Sequence, residues 1–401
     1  MDLCRAYAAD VDRWLAGLLA DEADVALVAV GGLGRREMCP GSDLDLVLVH
    51  RGRGDIRSVA ERVWYPIWDA GLGLDHSVRT VKEALAMAAD DLKVALGFLD
   101  ARVIAGDAGL GGDLAARALD QWRRKSGVNL EALSRSVGER HQQFGEVAFL
   151  LEPDLKEGHG GLRDVVVLRA AARATTVVDA DDPAVRAAYE TLLAVRVELH
   201  RRTGKRGDRL LLQEQDGVAA DLGHGDADEL MAAVADAGRA IAWASDDGWR
   251  RIASSLAGPK GRTGGRDRPL GPGLALCDGE VVLTADHPPV SDPVAVLTAA
   301  AAAAEADAPL ARATLDRFIG DLPELAGLWP PPARHALVAL LGTGHRAIAV
   351  LESLDQFGVL VAMLPEWQAV RSRPQRNAYH RFTVDRHLWE TAANAAALAR
   401  R

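Results

Sequence analysis

The stretch that most constrains this chain is residues 28–49, V-A-V-G-G-L-G-R-R-E-M-C-P-G-S-D-L-D-L-V-L-V. An apolar run ends at Gly31 and Gly32, and after a short polar link a second apolar run opens with Asp43 and Asp45. Short apolar runs bounded by glycine and turn residues are typical of buried β-strands. Because side chains along a strand alternate between its faces, Asp43 and Asp45 should share one face, about 6 to 7 Å apart at their Cα atoms. The pattern predicts two strands, with paired carboxylates at the start of the second.

Two carboxylates held this close repel each other unless a cation lies between them. Mg²⁺ is commonly bound by one or two carboxylates together with substrate phosphates, so the pair indicates a site for a magnesium-bound nucleotide. Gly31 and Gly32 leave backbone N–H groups open to the phosphates, and Arg35 or Arg36 can add a charged contact. A dinucleotide-binding turn fits less well, because Glu37 stands where G-x-G-x-x-G needs its third small residue. The sequence contains no G-x-x-x-x-G-K-[ST] phosphate loop.

Length and charge limit the class of protein. With 401 residues the chain is long enough for two or three domains. A net charge of −10 and scattered Lys and Arg residues argue against nucleic acid as the main partner, and so against nucleotidyl transfer to RNA. Cys4, Cys39 and Cys277 are far apart and predict a reducing compartment, and early acidic residues argue against a signal peptide. No apolar run reaches the length of a membrane span, so we expect a cytoplasmic enzyme without a membrane partner.

Beyond the first strands, the sequence is dominated by helical patterns. In chain order it predicts a helix over 2–20, strands over 25–30 and 44–49, a helix over 59–70, a strand over 72–81, helices over 81–254 with an interruption at 152–164, a linker over 258–273, a hairpin within 274–284 and helices over 294–365. The linker is rich in Gly, Pro and Arg, and the hairpin is centred on Asp278 and Gly279. The last residues lead into a further helix.

Five stretches together resemble one protein family. They are G-G-L-G-R-R-E-x-x-P-x-S-D-L-D-L (31–46), L-D-H-S-V-R-T (74–80), P-D-L-K-E-G-H-G-G-L-R-D-V (153–165), G-D-R-L-L-L-Q-E-Q-D-G-V-A (207–219) and Y-H-R-F-T-V-D-R-H-L (379–388). In this order they resemble the bacterial PII uridylyltransferase/uridylyl-removing enzymes, the GlnD family. The resemblance implies an α+β fold, in which a polymerase-β-like nucleotidyltransferase domain with a mixed sheet is followed by mainly helical domains. The implied domains are a nucleotidyltransferase domain (1–125), a helical domain (126–257), a linker with a small β-hairpin (258–290) and a helical region leading into a truncated HD hydrolase domain (291–401).

The resemblance also implies roles for individual residues. Asp43 and Asp45 match the metal-binding carboxylates of the family, which hold two Mg²⁺ ions. Related nucleotidyltransferases have a third carboxylate on a neighbouring strand, for which Asp75 is the candidate and Asp100 the alternative. The nucleotide is assigned to six residues: Gly31, Gly32, Arg35, Ser42, Lys156 and Arg163. The glycines of residues 153–165 are expected to start a helix at Gly161 whose N–H groups face an anion.

The implied reaction is transfer of UMP from UTP to a tyrosine of the nitrogen-signalling protein PII, with release of pyrophosphate. The sequence does not separate UTP from ATP, so adenylylation of PII or of glutamine synthetase stays open, as does a non-catalytic regulator that binds nucleotide or PII. His387 matches the first metal-binding histidine of the HD domain, but one histidine cannot assemble a metal site. Uridylyl-removing activity is therefore not expected here. Regulation by glutamine, which the family performs with C-terminal ACT domains, is not expected either.

Overall fold

A computed structural model describes residues 2–20, 22–180, 182–262, 268–285, 293–321, 329–376 and 379–399. The chain forms two compact units. The first unit comprises Met1–Glu146 and Asp154–Ala227, and the second comprises Val147–Pro153 and Asp228–Arg401. Among the described residues, no helix is long and apolar enough to cross a membrane.

The first unit is built on a four-stranded mixed sheet. Its strands are β1 (Val25–Ala29), β2 (Leu44–His50), β3 (Leu74–Thr80) and β4 (Arg102–Gly106), in the order β3-β2-β1-β4. β2 and β3 run parallel, and β1 is antiparallel to both β2 and β4. Every residue of β1 is buried, which is expected for a central strand covered on both faces.

In the described part of the first unit, ten helices accompany this sheet: α1 (Asp2–Leu19), α2 (Gly31–Gly34), α3 (Ile56–Asp69), α4 (Val81–Asp90), α5 (Leu92–Leu99), α6 (Ala108–Arg124), α7 (Ser126–Phe144), α8 (Leu162–Ala172), α9 (Pro183–Thr203) and α10 (Leu212–Leu222). One apolar cluster joins α1 and α3 to one sheet face, through residues such as Leu15, Leu46 and Val63. A second cluster joins α4 and α6 to the other face, through residues such as Val47 and Leu114. The helices on both faces hold the sheet rigidly and leave the starts of β2 and β3 open for polar groups.

The second unit is mainly helical. Its elements are α11 (Ala227–Arg262), β5 (Arg268–Gly271), β6 (Leu274–Cys277), β7 (Glu280–Leu283), α12 (Pro293–Ala306), α13 (Arg312–Asp321), α14 (Pro331–Gly342), α15 (Arg346–Gln356), α16 (Val359–Met363), a 3₁₀ helix (Pro365–Ala369) and α17 (Val384–Ala399). An alanine-rich face of α12 packs in the centre of its core. Arg239 of α11 lies buried between the carboxylates of Asp355 (2.6 Å) and Asp385, so the charge of the guanidinium is compensated on two sides.

The predicted α+β fold is confirmed, as is the hairpin, which turns at Asp278 and Gly279 with positive φ at both residues. The prediction of almost unbroken helix from residue 81 to 254 was wrong at β4, a five-residue strand at the edge of the sheet. So short an apolar run cannot be told from helix by periodicity. The predicted linker also differs, because α11 continues to Arg262 and β5 begins at Arg268, while residues 263–267 lie outside the described residues. The domain boundaries stay a prediction.

Candidate active site

A polar cavity of about 420 Å³ lies in the first unit, beside the starts of β2 and β3. All nine residues that the sequence assigned to metal and nucleotide line it: Gly31, Gly32, Arg35, Ser42, Asp43, Asp45, Asp75, Lys156 and Arg163. Most come from α2, from the residue that follows it and from the starts of β2 and β3, whereas Lys156 lies in the loop before α8 and Arg163 lies in the first turn of α8. The size suits a small-molecule ligand.

Asp45 and Asp75 are placed side by side by the sheet. They are register partners on the parallel strands β2 and β3, so their side chains leave the same face. Burial, together with the charges of Asp75 and Asp43, raises the pKa of Asp45, although Lys93 and Lys156 act in the opposite direction. The site thus concentrates negative charge that a cation can relieve.

Asp43 stands just before β2 and forms an ion pair with Arg206, which lies in the loop between α9 and α10. Both side chains are partly exposed. Among the described residues, no group of three or more His, Cys, Asp or Glu side chains stands close enough to hold a metal ion. The guanidinium of Arg206 is thus the positive charge that contacts Asp43 in this structure.

Gly31 is required by its surroundings, whereas Gly32 faces open space. Gly31 has a φ of +56°, and a Cβ there would lie 2.9 Å from Oδ2 of Asp45. A Cβ on Gly32 would meet nothing within 4 Å. Within the described part of the chain, no acceptor is recorded for the N–H groups of Gly31, Gly32 or Leu33, since the bonds of this turn begin with Gly34 N–H to Val30 O at 3.1 Å. These N–H groups are available to a ligand.

Arg35 is held by protein carboxylates rather than left free in the cavity. Its guanidinium contacts Glu37 at 2.6 Å and Asp100 at 2.5 Å. Asp100 caps the end of α5, is also 3.5 Å from Arg173 and is not among the residues that line the cavity. The structure therefore brings Asp75, and not Asp100, to the carboxylate pair.

The remaining predicted residues lie on the cavity wall. Ser42 Oγ accepts a hydrogen bond from the Cys39 N–H at 3.1 Å and closes the turn before Asp43. Arg163 pairs with Glu157 at 2.8 Å, and Lys156 lies 3.5 Å from Asp208. Helix α8 begins at Leu162, with Gly161 as its N-terminal cap, one residue after the predicted start.

Several lining residues were missed by the sequence reading, notably Lys93 in the first turn of α5, Arg206, and the buried His200 with its neighbours Arg196 and Asp208. Burial opposes ionisation of Asp208, but His200, Arg196 and Lys156 outweigh it and hold the pKa of this carboxyl well below its usual range. Asp208 lies in the stretch 207–219 that was matched to the family. That match was the sequence signal available for this residue.

His387 lies on α17 in the second unit, with its ring edge-on to His380 at 5.0 Å between centroids. Among the described residues, no group of three or more His, Cys, Asp or Glu side chains that could hold a metal ion includes His387.

Comparison with known proteins identifies the family. Residues 128–245 match the family model described as GlnD PII-uridylyltransferase. The chain is 47% identical to a bifunctional uridylyltransferase/uridylyl-removing enzyme of Streptomyces coelicolor, with 99% of the chain and 50% of the relative covered. The chain is a homologue of the GlnD family.

Two further relatives carry the same name. The Mycobacterium tuberculosis protein is 43% identical over 96% of the chain and 49% of its own length. The Corynebacterium glutamicum protein is 35% identical over 95% of the chain and 55% of its own length. The chain thus spans about half the length of the curated GlnD relatives it matches, and it is homologous to the uridylyltransferase region of the family.

Proposed function

We propose that the chain is a cytoplasmic nucleotidyltransferase that moves UMP from UTP to a tyrosine hydroxyl of PII and releases pyrophosphate. The observation that carries the proposal is the in-register pair of Asp45 and Asp75 in the wall of a cavity that also presents lysines and free backbone N–H groups. The names of the family model and of the relatives support the choice of UMP and of PII as reaction partners.

The carboxylates suit Mg²⁺ by their chemistry, because hard divalent cations prefer oxygen ligands. The raised pKa of Asp45 supports a cation among these groups, since its cause is burial together with neighbouring negative charge. Asp43, Asp45 and Asp75 would hold two Mg²⁺ ions, which supply charge neutralisation on the triphosphate and acidify the acceptor hydroxyl. For this role the ion pair between Asp43 and Arg206 would have to break, and the three carboxylates would have to approach one another, because no group of three among the described residues stands close enough to hold a metal ion.

The chain's own groups would do the remaining work. The N–H groups of Gly31, Gly32 and Leu33 would donate to phosphate oxygens, with Lys93 and Lys156 balancing their charge. Asp75 would orient the tyrosine hydroxyl and accept its proton. As the tyrosine oxygen bonds to the α-phosphorus, the bond from that phosphorus to the bridging oxygen breaks, and pyrophosphate leaves with the electron pair.

The test is transfer of labelled nucleotide to purified PII in the presence of Mg²⁺, with UTP and ATP supplied in separate reactions. We expect labelling from UTP, and we expect Asp75→Asn to lower the rate by at least 100-fold while Asp100→Asn retains most of it. Labelling from ATP alone would replace uridylylation with adenylylation. Wild-type protein that labels PII with neither nucleotide would refute the proposal.

One observation favours a different class of function. Arg206 forms an ion pair with Asp43, and the described residues form no group of three or more ligands close enough to hold a metal ion. Both features fit a regulator that binds nucleotide or PII without turnover. The same assay separates the two functions, because such a regulator would bind UTP or PII and release no pyrophosphate.

A further inference from the structure

Strand β3 forms one edge of the four-stranded sheet, and among the described residues it pairs with β2 alone. The Leu44 N–H donates to Gly73 O at 2.8 Å, and in the parallel register the backbone groups of residues 73, 75, 77 and 79 face β2. Those of His76 and Val78 consequently point away from the sheet. In the described parts of the chain no hydrogen-bond partner is recorded for the N–H or C=O of either residue. Such an edge is a template for an added strand.

An open groove of about 610 Å³ follows this edge. Its walls include Trp64 of α3, the side chains of His76 and Val78, and Arg79. The rings of Trp64 and Trp68 lie 5.1 and 5.5 Å from that of His76, and Trp68 is 46% exposed. Exposed aromatic side chains of this kind are enriched where proteins bind other proteins.

The same strand connects the groove with the catalytic cavity. Asp75 lines the cavity, and Ser77 and Arg79, further along the same face of β3, line the groove. A strand added at the edge would lie about 4.8 Å from β3. A tyrosine side chain on the Asp75 face of that strand would therefore be directed toward the carboxylate. Among the described residues, the groove and the cavity share no lining residue, but β3 contributes to both, with Asp75 in the cavity only two residues before Ser77 in the groove.

We propose that an extended segment of the protein substrate, carrying the acceptor tyrosine, pairs with the free edge of β3 and so brings the tyrosine hydroxyl to Asp75. This inference rests on the proposed transfer to PII. Main-chain hydrogen bonds to His76 and Val78 would provide affinity, and the exposed Trp68 beside His76 would contact side chains of the segment. A second copy of this chain, paired edge to edge, is the competing occupant.

The first experiment compares Val78→Pro with Val78→Ala. Proline removes the N–H that would bond the added strand, and it is tolerated at edge positions whose N–H faces solvent. Alanine removes the same side-chain contacts but keeps the N–H. We expect Val78→Pro to raise the KM for PII at least tenfold and to leave the Kd for Mg²⁺-UTP unchanged. Val78→Ala should stay within about twofold of wild type in both, because it keeps the main-chain hydrogen bond.

The second experiment uses wild-type protein, so it stands even when Val78→Pro fails to fold. Hydrogen exchange at the His76 and Val78 amides should slow at least tenfold on addition of PII, whereas the central strand residue Leu48 should not change. Transfer to PII with unprotected amides, or with an unchanged KM in Val78→Pro, would overturn the docking proposal. Self-association that Val78→Pro abolishes, without protection by PII, would also overturn it in favour of the second copy. Protection by PII without nucleotide transfer would support docking and refute the proposed reaction.

Discussion

Gly31 and Gly32 are adjacent in the sequence, but their surroundings restrict substitution at Gly31 and not at Gly32. Gly31 has a positive φ and packs against Asp45, so the absence of a side chain permits the turn and leaves room for the carboxylate. Gly32 has no such neighbour, and its free N–H is what the proposed phosphate contact uses. A structural need at one position and a ligand-binding need at the next can therefore be separated by mutation.

We predict that Gly31→Ala lowers the free energy of unfolding by about 1 to 2 kcal/mol, because a non-glycine residue is strained at this φ, and that it lowers transfer at least tenfold by displacing Asp45. Gly32→Ala should leave the free energy of unfolding within about 0.5 kcal/mol, because its Cβ meets no protein atom. It should weaken nucleotide binding, because the methyl group would crowd a phosphate that approaches the N–H, which alanine keeps. Urea unfolding and nucleotide titration check both effects. Wild-type nucleotide affinity in Gly32→Ala would show that phosphate does not approach this turn.

Arg206 competes with metal for Asp43 in the proposed mechanism. We predict that Arg206→Ala lowers the Mg²⁺ concentration for half-maximal transfer by up to about fivefold, since an exposed ion pair is worth at most about 1 kcal/mol. The neighbouring Lys205→Ala is the control for removal of a loop cation. Binding of Mn²⁺, followed by electron paramagnetic resonance, provides a readout independent of turnover. Equal Mg²⁺ dependence in the two variants would exclude the competition.

At the residue scale, the sequence was enough to select the cavity-lining residues that lie within one motif. It was not enough to find the cavity-lining residues that come from loops far away in the sequence. Asp43, Asp45 and the glycines share a short stretch whose strand alternation can be read directly. Arg206 reaches Asp43 from a loop 163 residues later, and nothing local indicates that contact. Lys93 follows an ordinary N-terminal cap at Asp91 and reads as a surface lysine.

At the scale of elements, the loop before α8 is anchored by Asp164. Its buried carboxylate accepts the Gly160 N–H at 2.7 Å, lies 2.8 Å from Nε2 of His141 and pairs with Arg140, both on α7. This carboxylate fixes the loop that carries Lys156 and the start of α8 that carries Arg163, and both residues line the cavity. The role of Asp164, the last residue of K-E-G-H-G-G-L-R-D, is thus to position the loop.

We predict that Asp164→Asn lowers the free energy of unfolding at pH 7 by about 3 kcal/mol, because it leaves Arg140 without its buried partner. Burial opposes ionisation of Asp164, but His141 and Arg140 outweigh it and hold its pKa below the usual value. The stability from this lowered pKa is present above the unfolded-state pKa near 4 and is lost as pH falls through the folded pKa. Urea unfolding should show a constant difference from wild type above about pH 5 that shrinks below pH 4. A difference that grows on acidification would contradict this.

Elements with a strong local signal were predictable, and those defined by their neighbours were not. The Asp278-Gly279 turn supplies two residues that tolerate positive φ, so the hairpin follows from chemistry. β4 is five residues long and becomes a strand by pairing with β1, while Arg102 at its start bonds Asp12 at 2.7 Å and 2.9 Å. Tertiary pairing of this kind leaves no periodic pattern in the sequence.

At the scale of the whole molecule, each unit has its own core, and the second depends on a buried charge. Arg239→Leu would leave the carboxylates of Asp355 and Asp385 buried without their shared cation. We predict a loss of about 3 to 5 kcal/mol in the unfolding of the second unit, and an unchanged transition for the first. Differential scanning calorimetry with and without UTP assigns the two transitions, because the ligand raises the Tm of only the unit that binds it. The exposed Arg251→Leu on the same helix is the control and should change little.

The division of the chain has a consequence for its synthesis. Residues 147–153 belong to the second unit, although the chain returns to the first at Asp154 and leaves it again only near Ala227. Phe149 in this segment is buried under Arg239 and Arg386, which the ribosome produces much later. A nascent chain that has completed the cavity of the first unit therefore still carries an unburied phenylalanine. If the first unit folds during translation, the side chain of Phe149 stays exposed until Arg239 and Arg386 are synthesised.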